Sequence, residues 1–175
     1  IVRGTTLRES IIRMLSRLKP KKIVVVSSCP QIRYPDCYGI DMSKMGDFIA
    51  FNAAVSLAKK KGLTGMMEEL FNRCRTLESA GELHTVNVVK EFYSHFSTDE
   101  LTQEIALLIT PPELNIPVQV IFQNIENLHK SCPNNRGDWY FTGNYPTPGG
   151  NRVVRGKAKC SWKAGSTSGG RWGRR

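Results

Sequence analysis

Near the start of the chain, a short stretch combines a cation, a glycine and two hydroxyls, which are groups that bind phosphate monoesters. Arg3 offers a fixed positive charge, Gly4 permits a tight turn, and Thr5 and Thr6 offer hydroxyl groups. A helical pattern follows at once, so the turn would also present the unpaired N–H groups and the positive end of a helix N-terminus. The alternative is purely structural: Gly4 is only a turn residue, and Thr6 is only a helix cap.

The residues that follow predict the elements that would hold this loop in place. Thr6 and Glu9 have the spacing of a capping box, with Thr6 as the N-cap. Apolar residues then recur at helical spacing until Pro20 ends the helix. The run 23–26 is apolar throughout and predicts a strand that is buried on both faces of a parallel sheet. A loop, a helix and a buried strand in close succession predict an α/β fold.

Further helices and a second strand are predicted downstream from caps and apolar periodicity. The helices run from Ser43 to about Lys61, from Thr64 onward, over 86–96, from the capping box of Ser97 and Glu100 to Pro111, and over 124–132, and the strand is 118–122. From Pro133 the chain is rich in turn residues.

The charge of the chain is concentrated at one end. The formal net charge is +10, and eight of the 25 basic residues lie in 152–175, which contains no acidic residue. Such a segment can bind nucleic acid, but we interpret it as a solvated, disordered tail. The sequence has no apolar run of membrane-spanning length and no signal-peptide pattern, so we expect a cytoplasmic protein without a membrane partner.

The cysteines and histidines do not predict a site. The five cysteines are scattered without a CxxC pair, which argues against both a disulfide framework and a zinc site. Cys29 follows the predicted strand, a place where nucleophiles occur, but no partner base is evident and we interpret it as structural. The three histidines share no spacing, and we assign them no catalytic role.

Several stretches, in this order, resemble the amidophosphoribosyltransferase family. IVRGTT (1–6) resembles the second half of that family's signature for phosphoribosyl pyrophosphate, and SSCPQIRYPDCYGIDM (27–42) resembles the segment after the next strand. VIFQNIENL (120–128) and FTGNYPT (141–147) resemble later landmarks. The resemblance covers about residues 1–152.

The resemblance implies a two-domain enzyme. A glutaminase domain releases ammonia from glutamine, and a type I phosphoribosyltransferase domain adds it to C1 of phosphoribosyl pyrophosphate. The products are 5-phosphoribosylamine, pyrophosphate and glutamate, in the committed step of de novo purine (IMP) biosynthesis. The family further implies purine nucleotides as inhibitors, Mg²⁺ as cofactor and a homo-oligomer. We therefore expect this chain to be the C-terminal part of such an enzyme and to be inactive alone.

The resemblance also assigns residues. Val2, Arg3, Gly4, Thr5 and Thr6 match the loop that holds the 5′-phosphate of phosphoribosyl pyrophosphate. The two acidic residues that position the ribose and the metal would lie upstream of Ile1, so no catalytic residue and no metal ligand is expected within the chain. Some members bind an iron–sulfur cluster through cysteines, and here the matching positions hold other residues, namely Asp36, Gly137 and Tyr140. We therefore predict no iron–sulfur cluster.

The fold that the resemblance implies is a partial type I phosphoribosyltransferase fold, a parallel sheet with flanking helices. We divide the chain into a portion with the phosphate loop (1–62), a helical insertion on the domain surface (63–116), the C-terminal part of the phosphoribosyltransferase domain (117–152) and a disordered basic tail (153–175). After residue 152 the sequence stops resembling the family, and we interpret the tail as a frameshifted or read-through end.

A second hypothesis belongs to another class of protein. The chain could be a non-catalytic regulator that senses phosphoribosyl pyrophosphate and binds nucleic acid through its basic tail. The FTGNYPT segment argues against it, because simple regulators of this fold need no such segment. We accordingly predict no nucleic-acid partner.

Overall fold

The computed structural model describes residues 1–36, 42, 44–82, 86–134 and 137–150. In chain order, the elements are a π-helical turn (Leu7–Ile11) that continues into α1 (Ile12–Ser16), β1 (Ile23–Ser27), a 3₁₀ turn (Met45–Asp47), α2 (Ile49–Lys60), α3 (Thr64–Ser79), α4 (Val88–Ser94), α5 (Thr98–Ile109), β2 (Val118–Phe122), α6 (Ile125–Ser131) and α7 (Trp139–Thr142). Helices and a small parallel sheet make this a mixed α/β structure, as predicted.

The sheet consists of β1 and β2, which pair in parallel within the part of the chain that the structure describes. The register runs from Ile23 opposite Val118 to Ser27 opposite Phe122. Parallel neighbours need a long crossover connection, and helices α2 to α5 lie in the chain between the two strands. This connection brings the segment after β1 and the segment after β2 to the same end of the sheet.

Among the described residues, one face of the sheet is covered and the other is open. Ile23 and Val120 are buried on the face that α5 packs against. On the other face, Val24, Val26 and Ile121 are 46%, 71% and 45% exposed. The prediction that β1 is buried on both faces is therefore wrong for this chain, because among the described elements the helices cover one side of a two-stranded sheet.

Helix α5 is central to the core. Leu101, Ile105 and Ile109 are fully buried, and α5 packs against both α2 and β2. Helix α4 adds Phe92, whose ring lies 5.9 Å from that of Phe51 on α2. Helices α4 and α5 therefore contribute buried side chains to the core. The division of the chain into four segments, with 63–116 as a helical insertion on the domain surface, stays a prediction.

The two predicted capping boxes differ in outcome. At α5 the Ser97 hydroxyl accepts from the Glu100 N–H, and the Glu100 carboxylate accepts from the Ser97 N–H, so this capping box is confirmed. At the first helix Thr6 has helical backbone angles and its side chain makes no capping bond. The predicted cap at Thr6 is wrong, because the turn at Gly4 starts the helix earlier.

Other predicted helices are found with shifted boundaries. Helix α2 begins at Ile49, after the 3₁₀ turn, and not at Ser43, which lies outside the described residues. Thr64 is the first residue of α3 and makes no side-chain cap. The predicted strand 118–122 and the helix within 124–132 are confirmed.

The remaining predictions concern thiols, membrane and tail. Cys29, Cys74 and Cys132 form no disulfide among the described residues, and Cys37 and Cys160 fall outside them. In the part of the chain described, no helix has the length and apolar character needed to cross a bilayer. The predicted disordered tail, 153–175, also falls outside the described residues.

Candidate phosphate-binding site

The loop at residues 1–6 depends on the backbone of Gly4. Gly4 has a φ of +75°, in the left-handed region that only glycine adopts without strain. A Cβ atom at this position would lie 2.5 Å from Cδ1 of Ile49 and 2.9 Å from Cγ2 of Ile109. Glycine is therefore required at this position for two reasons: its backbone angle is positive, and α2 and α5 leave no space for a Cβ.

Backbone hydrogen bonds fix both sides of this turn. Before it, the Val2 carbonyl accepts from the Ile49 N–H at 2.8 Å, which ties the loop to the start of α2. After it, the Gly4 carbonyl accepts from the Arg8 N–H at 3.0 Å. The N–H groups of Thr5 and Thr6 precede that first bond, so they have no acceptor within the helix. They are the donors that a bound anion would use.

The predicted phosphate residues line one cavity of about 490 Å³. Val2, Arg3, Gly4, Thr5 and Thr6 all border it, and the other lining residues are Ile1, Leu7 and Met42. The side chains of Arg3, Thr5 and Thr6 are exposed. The structure thus brings all five predicted residues together at a surface that a ligand can reach.

The charge at this cavity is partly balanced. The Arg3 Nε lies 3.6 Å from Oδ2 of Asp47, and both side chains are about half exposed. A solvated pair of this kind contributes little to stability. The guanidinium therefore remains available to a phosphate, and Asp47 holds it beside the loop. Sequence reasoning missed Asp47, which comes close only because the 3₁₀ turn precedes α2.

One residue from beyond β1, Met42, also borders the cavity. Met42 belongs to the segment that follows β1, and its carbonyl accepts from the Asp36 N–H at 2.9 Å. Residues 37–41 and 43 are outside the described part of the chain. Met42 is the described residue of the YGIDM stretch, and its place at the same cavity as residues 1–7 is a tertiary feature.

The segment after β1 is joined to the later FTGNYPT landmark. The Arg33 and Tyr34 N–H groups both donate to the Tyr140 carbonyl, at 2.9 and 3.1 Å. The Tyr145 hydroxyl donates to the Pro35 carbonyl at 2.5 Å. Gly143 has a φ of +73°, and a Cβ there would lie 2.7 Å from the Tyr34 ring. Two stretches that resembled family landmarks separately are therefore in contact.

Buried aromatic hydroxyls surround this contact. Burial raises the pKa of Tyr34 to about 12, against a smaller opposing effect of the Arg33 charge. Burial also raises the pKa of Tyr93, whose hydroxyl is buried without a hydrogen-bond partner. The Arg33 guanidinium lies 5.6 Å from the centre of the Tyr93 ring and donates to Gln31. Both phenols are neutral at physiological pH, so they act here as packing groups.

The described residues do not by themselves form a metal centre. Within that part of the chain, no group of three or more histidine, cysteine, aspartate or glutamate side chains is placed to hold a metal ion. The carboxylate nearest the loop, Asp47, is paired with Arg3. The predictions on Mg²⁺ and on the iron–sulfur cluster stay predictions, and no chemical step of the chain's own residues is assigned to a metal.

A smaller cavity, of about 240 Å³, lies between α6 and α7. His129 and Asp138 border it, and their Nε2 and Oδ2 atoms are 3.1 Å apart. Cys132 borders it as well. Sequence reasoning gave His129 no role, because its partner Asp138 lies in the turn-rich segment beyond the helix.

Comparison with known proteins gives relatives that are all named amidophosphoribosyltransferase. The chain is 33% identical over 106 residues to the protein of Haemophilus influenzae, which is 61% of this chain and 20% of the relative. It is 46% identical over 55 residues to the Escherichia coli protein, 31% of this chain and 11% of the relative. It is 33% identical over 81 residues to the Saccharomyces cerevisiae protein, 43% of this chain and 16% of the relative.

These matches support the family and leave its finer properties open to proposal. The chain spans about a fifth or less of the length of the curated relatives it matches. No protein-family profile and no solved structure matches it. The similarity is therefore to one part of a larger enzyme, a glycosyltransferase by the name of its relatives.

Proposed function

We propose that this chain is the C-terminal part of the phosphoribosyltransferase domain of a glutamine-dependent amidophosphoribosyltransferase, and that residues 2–6 hold the 5′-phosphate of phosphoribosyl pyrophosphate. One observation carries the proposal: the five residues that match the family's phosphate loop border a single cavity at the start of a helix. The names of the relatives support it independently.

The physical role of the loop follows from the reaction. Ammonia forms a bond to C1 of the ribose as the bond from C1 to the pyrophosphate oxygen breaks. The ribose passes through a cationic state, so the protein must hold both phosphate ends in place and exclude water. The unpaired N–H groups of Thr5 and Thr6, their hydroxyls and Arg3 are donors suited to the 5′-phosphate end. Magnesium would neutralise charge on the pyrophosphate, through ligands that we place outside this chain.

The uncovered face of the sheet supports the proposal that the chain works within a longer protein. Val24, Val26 and Ile121 form an apolar strip on β1 and β2 that no described element covers. Parallel sheets are normally covered on both faces. In the proposed enzyme, other parts of the phosphoribosyltransferase domain would supply that cover.

Binding of ribose 5-phosphate to the 175-residue chain tests the loop assignment. Amide signals of residues 3–8 should shift in an NMR titration, and ribose without the phosphate should leave them unchanged. Thr5→Val and Thr6→Val keep the side-chain shape and remove a hydroxyl, and each should weaken binding about tenfold, the value of a hydrogen bond to a charged group. Ser10→Ala, on the exposed next turn of the same helix, is the control. Equal affinities in all four proteins would refute the assignment.

An activity assay tests the enzyme itself. The full-length protein that carries these residues should form phosphoribosylamine from glutamine and phosphoribosyl pyrophosphate, and Thr6→Val, which keeps the side-chain shape, should raise its KM for phosphoribosyl pyrophosphate about tenfold. If the variant keeps both the glutaminase and the synthase activity of the unaltered protein, the result would contradict the proposal. The isolated chain is expected to form no product.

A further inference from the structure

Two hydrogen bonds connect Tyr145 with Met42 by way of Pro35 and Asp36. Pro35 is buried, and its carbonyl accepts from the Tyr145 hydroxyl, whose side chain is only 7% exposed. The next residue, Asp36, donates its N–H to the Met42 carbonyl at 2.9 Å. A short path of hydrogen bonds thus runs from Tyr145 to a residue that borders the cavity at residues 1–7.

Other contacts hold Tyr145 itself in position. The Gly143 carbonyl accepts from Nδ2 of Asn87 at 3.3 Å, and Oδ1 of Asn144 accepts from Nζ of Lys90 at 3.2 Å. Both donors lie at the start of α4, which is anchored in the core by Val88, Val89 and Phe92. The segment around Tyr145 is therefore attached to a rigid element and can act as a fixed support.

Met42 has a backbone that needs such support. Its φ is +57°, in the left-handed region that is unfavourable for a residue with a long side chain. A residue keeps such an angle when surrounding contacts impose it. Among the described residues, the hydrogen bond from the Asp36 N–H to the Met42 carbonyl is one such contact.

We propose that Tyr145 is a positioning residue for phosphate binding: by holding the Pro35 carbonyl, its hydroxyl fixes Met42 at the wall of the cavity formed with residues 1–7. The inference rests on the proposed function of that cavity. It gives the FTGNYPT segment a role in substrate binding, although Tyr145 does not border the cavity.

Two tyrosine variants give a matched test. Tyr145→Phe removes the hydroxyl that bonds Pro35, and Tyr93→Phe removes a buried hydroxyl that has no hydrogen-bond partner. The chain has five methionines, so ¹³C-methyl labelling gives a simple spectrum in which Met42 can be assigned from Met42→Leu. The Met42 methyl signal should move in Tyr145→Phe and stay in place in Tyr93→Phe.

Affinity for ribose 5-phosphate provides the functional measurement. Tyr145→Phe should bind it about threefold to tenfold more weakly, the effect of one neutral hydrogen bond, while Tyr93→Phe should bind as the unaltered chain does. An unmoved Met42 signal, or equal affinities, in a folded Tyr145→Phe protein would overturn the positioning role. If the unaltered chain itself binds no ribose 5-phosphate, the proposed function fails, and the role of Tyr145 in binding fails with it.

Amide exchange keeps the inference testable if Tyr145→Phe does not fold. In the unaltered chain, the Asp36 amide bonds Met42, whereas the Arg33 and Tyr34 amides bond Tyr140. If one support holds the whole segment, the three amides should open together and exchange with the same free energy of opening. An Asp36 amide that exchanges at least tenfold faster than the other two would show that Met42 is held independently, which would overturn the inference.

Discussion

Replacement of Gly4 by alanine would impose two separate penalties on the loop. The first is conformational, since a φ of +75° is unfavourable for any residue that has a Cβ. The second is steric, since the new Cβ would lie 2.5 Å from Cδ1 of Ile49 and 2.9 Å from Cγ2 of Ile109. Both isoleucines belong to the core, so neither can move away without disturbing α2 or α5.

The expected loss of stability is large for one added methyl group. A left-handed angle costs a residue with a Cβ about 1–2 kcal/mol. Forcing one carbon into a packed core costs about 1–3 kcal/mol more. The sum, about 2–5 kcal/mol, is a substantial share of the roughly 5–15 kcal/mol that stabilises an ordinary domain. We expect Gly4→Ala to fold only marginally.

Gly62→Ala is the matched control for the conformational penalty. Gly62, just after α2, has a φ of +70°, and a Cβ there would meet nothing within 4 Å. This variant should lose only the conformational term, about 1–2 kcal/mol. Ile49→Val tests the steric term, because it removes Cδ1, the atom closest to the added Cβ. Combined with Gly4→Ala, it should be less destabilising than the two single changes together.

Urea unfolding followed by circular dichroism measures all four variants. The reasoning requires Gly4→Ala to be less stable than Gly62→Ala by at least about 1 kcal/mol, and the Gly4→Ala/Ile49→Val pair to show a favourable coupling. If Gly4→Ala and Gly62→Ala lose the same free energy, the close approach to α2 and α5 is not a constraint, and Gly4 would be only a turn residue.

Three further predictions concern the cap of α5, the sheet and the buried phenol. Ser97→Ala should lower the free energy of unfolding by about 1 kcal/mol because it breaks the capping box, and an unchanged melting temperature would contradict this. Val120→Thr, on the buried face of β2, should cost about 1–3 kcal/mol in urea unfolding, whereas Val26→Thr on the open face should change it by less than about 0.5 kcal/mol. Burial raises the pKa of Tyr34 to about 12 in the folded protein, so the neutral phenol stabilises the fold fully below pH 10, and this stabilisation is lost as the pH rises towards 12. Between pH 10 and 12 the free energy of unfolding should therefore fall less steeply in Tyr34→Phe than in the unaltered chain.

Local features of the sequence predicted several elements correctly. The Ser97 and Glu100 pair predicted the start of α5, and the strand pattern VQVIF (118–122) predicted β2, because these signals act within a few residues. The Thr6 and Glu9 pair has the same spacing and forms no capping box. There the turn at Gly4 makes Thr6 helical, so a capping pattern predicts a cap only where the chain enters the helix at that residue.

The open face of the sheet shows a different limit of sequence reasoning. A strand that is apolar on both faces is suited to packing on both sides. The apolar run alone does not identify the elements that cover each face. Strand β1 pairs with β2, which packs against α5, while Val24 and Val26 of β1 are exposed in the described structure. The apolar run correctly predicted a parallel strand. Burial of its second face requires packing elements that the described part of the chain does not supply.

The candidate site depends both on a local sequence motif and on residues that are distant in the sequence. The five loop residues could be named from the sequence because they resemble the family's phosphate loop, and all five border one cavity. Neighbours of the loop lie far along the chain: a Cβ at position 4 would meet Ile109, Met42 borders the cavity, and we propose that Tyr145 positions Met42. A motif therefore identifies what a loop can bind, and its distant neighbours determine whether the loop is held open to bind it.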